Sequence, residues 1–418
     1  MRVTLISLNY PPEPTGIALY SGGLADGLAK RRHDVRVVSG LPHYPQWRVY
    51  AGYQQAEISY RPNEDAAEVS VARRRHFVPP DPRLFNRLFL ELTFGLSALV
   101  ARWHRPDVVV VISPALFASI LVALRARLLR QPFLVWVQDI YSLGVSETGR
   151  AGKLTGRVLG LVERLLLKSA SRVVTIHERF RLQLIREHGL DPDRVSVIRN
   201  WSHIDAVPHG DRRAARAKLD WPPDTTVVLH AGNMGAKQGL MNVLEASRLA
   251  EAEGRKLLFV LMGDGNQRAE LEAAEGNACL RIIDPLPQGQ FFEALWAADV
   301  LLVNERAGLT EMAVPSKLTS YFATGLPVVA ATDAGSVTAQ EVGLAGAGLR
   351  VDADDPRQLV DAAQRLRDDP VLAAKLGARG QAFRQSTLTA EGSLAAFEDV
   401  LLSASALVDL REPAGSRH

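Results

Sequence analysis

Cysteine is almost absent. Cys279 is the only one in 418 residues, so no disulfide framework is available and a reducing compartment fits best. The ten histidines are scattered, and no HExxH, CxxC or paired-cysteine spacing occurs; nothing in the sequence argues for a metal. Internal repeats and low-complexity tracts are missing too, which sets aside solenoid and disordered classes. One uncharged run, Val108 to Leu124, is interrupted by Ser113-Pro114 and is barely of spanning length. A strand, a turn and a helix explain it better. The opening "MRVTLISLNYPPEP" is too short an apolar run for a signal peptide and reads as a first strand.

Net charge is small overall, +3, but its distribution is uneven. Residues 1–200 hold 28 Lys+Arg against 17 Asp+Glu, a balance of +11, and the remainder holds 21 against 29, a balance of −8. Such a basic first half suggests an anionic partner, either a membrane surface or a phosphorylated substrate; the plainer reading is a solvated face. Within it, "VARRRHFVPPDPRLFNRLFLELTFGLSALVARWHRP" sets Arg73, Arg74, Arg75, Arg83, Arg87, Arg102 and Arg105 around Phe85, Leu88, Phe89, Leu92, Phe94 and Leu96. A basic rim about a Leu/Phe-rich helix suits a protein lying on anionic lipid. A core helix with solvated arginines is the alternative.

Short Val/Ile/Leu strands alternate with helix-length segments along the whole chain. They are "RVTLISL", "DVRVVSG", "DVVVVIS", "PFLVWVQD", "RVVTIH" and "VSVIRN", then "TVVLHAG", "LLFVLMGDG", "LRIIDPL", "DVLLVN" and "PVVAAT". Continuous apolar strands separated by helices imply parallel sheets covered on both faces. These are too many for one open sheet, so two doubly wound α/β domains are expected, facing a cleft. The boundaries are placed at 1–200, 201–385 and 386–418, the last a helix packing back on the first domain.

Three glycine-bearing loops could converge in that cleft: "NYPPEPTG" with Gly16, "AGNMGAKQGL", and "GLTEMAVPSKLTSYFATG". Glycines at strand-to-helix turns let backbone amides approach an anion. Other phosphate motifs fail on spacing. No Gly-Lys-Ser/Thr follows Gly232, and the partial GxGxxG at Gly263-Asp264-Gly265 has Arg268 at its third glycine position. Asp191-Pro192-Asp193 and Asp352-Ala353-Asp354 are assigned to solvated turns.

At these loops the chain resembles the retaining glycosyltransferases of the large family-four group, which have the GT-B architecture, and within them bacterial exopolysaccharide (colanic-acid-type) and O-antigen enzymes. The resemblance runs through "LNYPPEPTGIALYSGGLADGLAKRRHDVRVVSGLPHYPQW", "VQDIYSLG", "VIRNWS", "GNMGAKQGL" and "PSKLTSYFATGLPVV". It implies that Gly16 approaches donor phosphate and acceptor, and that Gln138 and Asp139 line the sugar pocket. Gly232 and Gly239 would end the donor-phosphate loop, Gly263 and Asp264 would lie near the base, and Ser316, Lys317 and Leu318 would begin the helix whose amides meet the diphosphate. Asn233 and Gln238 stand where relatives carry Arg and Lys, and Lys237 comes one position early. The usual glutamate pair falls on Met312 and Ser320, with Glu311 beside the first. Lys237 and Lys317 are the cations expected to face charge developing on a leaving diphosphate, and Glu311 is the nearest acid.

The resemblance thus implies transfer of a sugar, with retention and without a metal or other cofactor, from a nucleotide-sugar donor to a lipid-linked saccharide acceptor. The acceptor is expected at an anionic membrane surface, with the protein peripheral on its cytoplasmic side; no nucleic acid partner is expected. A non-hydrolysing sugar-nucleotide epimerase of the same fold remains an alternative. A nicotinamide dehydrogenase is disfavoured by the missing third glycine, and a secreted sugar-binding protein by the opening residues.

Overall fold

The computed structural model describes residues 1–14, 16–141, 153–202, 211–274, 276–308 and 317–409. They form two compact units: Met1–Asn200 together with the chain from Glu391 onward, and Trp201–Ala390.

In the first unit the strands are β1 Arg2–Ser7, β2 Asp34–Gly40, β3 Ala56–Tyr60, β4 Val69–Arg74, β5 Val108–Ser113, β6 Phe133–Val137, β7 Arg172–Thr175 and β8 Val195–Val197. They build one sheet in the order β3-β4-β2-β1-β5-β6-β7-β8. Helices α1 Ile17–Lys30, α2 Leu84–Leu99, α3 Leu116–Leu128, α4 Lys153–Ser169 and α5 Glu178–His188 connect the strands. Every residue of β5 is buried, as expected of a strand covered on both faces. The order reverses between β1 and β5, and a ligand crevice is expected outside the carboxyl ends of the strands at such a point. The uncharged run at 108–124 is indeed β5, a turn and the start of α3. Among the described residues, no helix is long and apolar enough to cross a membrane.

Two strands of this sheet, β3 and β4, go beyond those the sequence predicts. β3 lies antiparallel to β4 at the sheet edge, Ala56 opposite Arg73; its polar, mostly exposed sequence carries no apolar run. β4 carries the start of the expected basic rim, and the structure removes Arg73 from that rim. Its side chain points inward, buried, donating to Ser39 Oγ at 2.8 Å and to the Pro11 carbonyl, with the guanidinium over the Tyr10 ring. It cannot touch lipid. Arg74 is half-buried on Ser97, whereas Arg75, Arg83, Arg87, Arg102 and Arg105 are exposed. Phe94 is likewise core, while Phe85, Phe89, Leu92 and Leu96 leave an apolar stripe open along α2.

The second unit has β9 Thr226–Ala231, β10 Leu257–Met262, β11 Leu280–Ile283, β12 Val300–Asn304, β13 Val328–Ala331 and the short edge strand β14 Gly348–Val351. Their order is β11-β10-β9-β12-β13-β14, the 3-2-1-4-5-6 arrangement of a nucleotide-binding doubly wound sheet. Its helices are α6 Arg212–Lys218, α7 Met241–Ala252, α8 Arg268–Ala274, α9 Gln288–Ala297, α10 Lys317–Ala323, α11 Val337–Ala345, α12 Pro356–Asp368 and α13 Pro370–Thr387. Side chains alternate across the sheet: Val227, Leu229 and Ala231 enter one core cluster, while Val228 enters the other with Phe259 and Leu302.

The last helix, α14 Ala390–Asp409, returns to the first unit. Phe397 packs on Trp136 with ring centroids 4.7 Å apart. Glu398 takes Arg31 Nη1 at 2.8 Å and lies 2.7 Å from His33 Nε2, and these bonds, His33 first, hold its carboxyl below the ordinary range. Gly27 on α1 permits the approach, since a Cβ there would fall 2.3 Å from Leu394.

Candidate functional site

In the second unit the strand order reverses between β9 and β12, and the polar groups gather there. Strand β9 ends at Ala231, and the loop to α7 begins with Gly232 at φ 131°. Behind it lies the loop after β10. Gly263, at φ 152°, sits so close that a Cβ would fall 1.8 Å from the Gly232 carbonyl oxygen; any other side chain would push the two loops apart. Asp264 closes the stack by accepting the Met234 amide on its carbonyl at 2.8 Å, and its carboxylate takes the Gly265 amide at 2.7 Å. Arg268, the residue that spoils the dinucleotide pattern, donates to the Gly263 carbonyl at 2.8 Å. It braces the loop.

The far end of the first loop is pinned from β12. Buried Asn304 donates to the carbonyls of Gln238 and Gly239 at 2.7 and 3.0 Å and receives Asn242 Nδ2 at 2.9 Å. The Arg306 amide donates to the Lys237 carbonyl at 3.0 Å. Gly239 takes the left-handed conformation, φ 58°, against Arg306. This backbone is fixed before any ligand arrives, which lowers the ordering cost of binding.

Lys317, at the start of α10, points into this frame. Its Nζ donates to Gln238 Oε1 at 2.9 Å and lies 3.3 Å from Nε2 of the fully buried His230, and it is the nearest group to the open side of Gly232. Burial lowers its pKa to about 7, with Glu305 pulling the other way. Burial, then the Lys317 charge, keeps His230 well below its ordinary value and therefore neutral. Glu305 follows β12 and takes the hydroxyls of Thr332 and Thr338; burial raises its carboxyl. A desolvated ammonium beside exposed glycine backbone is a place for a multiply charged oxyanion, which would hold the proton on Lys317.

Of the residues expected here, Gly232, Gln238 and Lys317 come together, with Gly263 and Asp264 immediately behind. Lys237 and Asn233 lie on the same loop but are exposed, and the Lys237 side chain has no partner among the described residues. Leu318 is core and Ser320 half-buried. Glu311 and Ser316 lie outside the described residues. His230, Asn304 and Glu305 were not anticipated. The only signal was the polar Asn-Glu pair ending an apolar strand, while a histidine within β9 reads as core.

The first unit has its own polar cluster at the carboxyl ends of β1, β2 and β6. Gly16, exposed at φ 57°, precedes α1. Gln138 is buried and exchanges two bonds with Asn200, at 2.8 and 3.3 Å, so the segments "VQDIYSLG" and "VIRNWS" meet; Asp139 beside it is half-buried. Next to them Tyr141 donates its amide to buried Glu163 at 2.8 Å and shares a side-chain bond with Glu91, whose carboxyl burial raises to about 7. The acidic turns behave as expected: Asp191 caps its own turn through the Asp193 amide, and Asp352 is held by Gln358. Among the described residues, no group of three or more His, Cys, Asp or Glu is placed to hold a metal.

Comparison with known proteins shows the family. The family described as "Glycosyl transferase 4-like domain" matches residues 15–201, and that described as "Glycosyl transferases group 1" matches residues 225–369. A putative colanic acid biosynthesis glycosyl transferase, WcaI of Escherichia coli (strain K12), is 33% identical over 78% of this chain and 82% of its own. Among solved structures, sucrose-phosphate synthase from Thermosynechococcus elongatus superposes with a TM-score of 0.73 at 18% identity, covering 97% of this chain and 99% of that one. Anabaena HepE, solved in complex with UDP-glucose, gives 0.66 at 15% identity over 96% and 100% of the two chains. These two likenesses speak for the fold, two parallel-sheet α/β domains of the GT-B class.

Proposed function

Since the chain belongs to the glycosyltransferases of this family-four group, we propose that it moves a sugar, with retention, from a nucleotide-sugar donor to a polyprenyl-diphosphate-linked saccharide in exopolysaccharide, capsule or O-antigen synthesis. The observation that carries this reading is Lys317, desolvated and aimed beside the Gly232 backbone between β9 and β12. In transfer, the bond from the anomeric carbon to the donor phosphate oxygen breaks, and its electron pair stays with the diphosphate. The acceptor hydroxyl forms the new bond on the same face and passes its proton to the departing phosphate oxygen. Lys317 and the loop amides stabilise the charge that grows on the leaving group, an effect that needs no metal. Glu311 is the acid proposed for the donor sugar, and Lys237, exposed on the loop between Gly232 and Gly239, is a second cation for the diphosphate.

The relative's role in colanic acid synthesis and the UDP-glucose bound by HepE support a nucleotide-sugar donor and a polysaccharide pathway. The apolar stripe on α2, with Arg75, Arg83 and Arg87 exposed in and before the helix, supports docking on the anionic cytoplasmic face of the membrane where such acceptors lie. The test is incubation with radiolabelled nucleotide sugars, with and without isoprenyl-diphosphate-linked monosaccharides. Label in the lipid phase only when acceptor is present is expected. An epimerised nucleotide sugar formed without acceptor would overturn the reading in favour of an epimerase.

A further inference from the structure

The loop after β2 carries Tyr44, Trp47, Tyr50 and Tyr53 close together. Trp47 has a left-handed backbone, φ 53°, which a bulky residue holds only against strain. Its surroundings impose that shape. Glu13, almost wholly buried on the loop after β1, accepts the amides of His43 and Tyr44 at 2.7 and 2.9 Å and Asn9 Nδ2 at 2.8 Å. Tyr50 donates its hydroxyl to the Tyr44 carbonyl at 2.7 Å and its amide to the Pro42 carbonyl at 2.9 Å.

The rings so fixed are not put away in the core. Tyr44 is 40% exposed and Tyr53 38%, and Trp47 is partly open. The Tyr44 ring meets the Trp47 ring edge-on at 5.8 Å, and the exposed Arg87 of α2 lays its guanidinium 5.0 Å from the Trp47 centroid. Side chains of this size bury roughly 150 Å2 or more when they serve a core. Here strain and a buried carboxylate are used to hold them at the surface. The loop also stands at the carboxyl ends of β1 and β2, the edge on which Gly16 lies, and Glu13 anchors both segments.

We propose that Trp47, Tyr44 and Arg87 form a subsite for the saccharide-diphosphate end of the acceptor. The ring surfaces meet the C–H face of a sugar, the Tyr44 hydroxyl reaches its hydroxyl groups, and Arg87 takes a phosphate oxygen. Glu13 is a positioning residue that holds the rings in place. The proposal rests on the acceptor named above and deepens it.

Kinetics of the full-length protein decide it, with labelled nucleotide sugars as donors, farnesyl-diphosphate-linked monosaccharides as acceptors and farnesyl diphosphate alone as a competitor. Trp47→Ala should raise the acceptor KM by about tenfold, equivalent to roughly 1.4 kcal/mol, leaving the donor KM where it was. Trp47→Phe should recover most of the loss, and it keeps the test open if the alanine variant folds poorly. Arg87→Gln should weaken both the acceptor and inhibition by farnesyl diphosphate, whereas Trp47→Ala should weaken the saccharide-bearing compound more. An unchanged acceptor KM in Trp47→Ala, with the wild type active, overturns the subsite alone. A raised donor KM would give the rings to the donor instead and also overturns it. A wild type that labels none of these lipids fails the transfer reading itself, and the subsite falls with it.

Discussion

Replacing Lys317 by methionine keeps the reach of the side chain and removes the ammonium. Two effects of opposite sign should follow. In the unfolded chain this lysine titrates at its ordinary 10.5, and in the folded protein burial brings it to about 7. Between those values the unfolded state binds more protons, so this group makes stability rise with pH and imposes its full penalty below about pH 7. Each tenfold change in proton affinity is about 1.4 kcal/mol, giving a ceiling near 5 kcal/mol; the half-open position and the contact with Gln238 reduce this to about 2 kcal/mol. Lys317→Met should therefore melt higher than wild type, by several degrees at about pH 6. Activity should move the other way. Losing a preorganised cation at a developing oxyanion costs about 2–4 kcal/mol, roughly 30- to 1000-fold in kcat/KM. The pH profile carries the distinguishing mark. Wild-type kcat/KM for the donor should fall as pH rises through about 7, because the free enzyme loses the charged form, and the variant should lack this limb. Initial rates at subsaturating donor from about pH 6 to pH 9, beside thermal melts, make the test. Wild-type kcat/KM in Lys317→Met, or a lower melting temperature at the acid end, would refute the placement of the anion site.

Gly263→Ala should cost roughly 3 kcal/mol or more, since its Cβ would collide with the Gly232 carbonyl and the backbone is left-handed there; urea unfolding close to that of wild type would contradict the stacked-loop geometry. Glu91→Gln should flatten the pH dependence of stability. Burial raises the Glu91 carboxyl to about 7, so the folded state holds the extra proton and this group's contribution is lost as pH rises from its ordinary 4.5 through about 7. Melts of variant and wild type that stay parallel from about pH 5 to pH 8 would count against it. Phe85→Ser with Phe89→Ser should release the protein from anionic vesicles, because each apolar side chain contributes about 1.5–3 kcal/mol when buried. Arg73→Ser should lower stability instead, and co-sedimentation with phosphatidylglycerol vesicles separates the two outcomes.

The sequence by itself determined the fold class. Uninterrupted runs such as VVVVIS in β5 and LLFVLM in β10, short and bounded by turn residues, read as strands covered on both faces, and parallel strands so covered need the helices that separate them. Glycine placement also located the loops at the strand-order reversal of the second unit, because backbone at φ near 150° beside another carbonyl admits no side chain. What the sequence could not determine was which polar groups meet. Gln238 stands where relatives carry a cation, and the structure makes it the hydrogen-bond partner of one, Lys317, whose place in the chain is remote. Glu13, His230, Asn304 and Glu305 gave little local sign of their roles, since a polar residue next to an apolar strand reads the same whether it is solvated or enclosed. The arginine run 73–75 shows the limit most plainly. Three identical side chains in a row point to alternate faces of β4 and its exit, so one is buried, one half-buried and one exposed. Only the packing of the sheet against Tyr10 and Pro11 decided which was which.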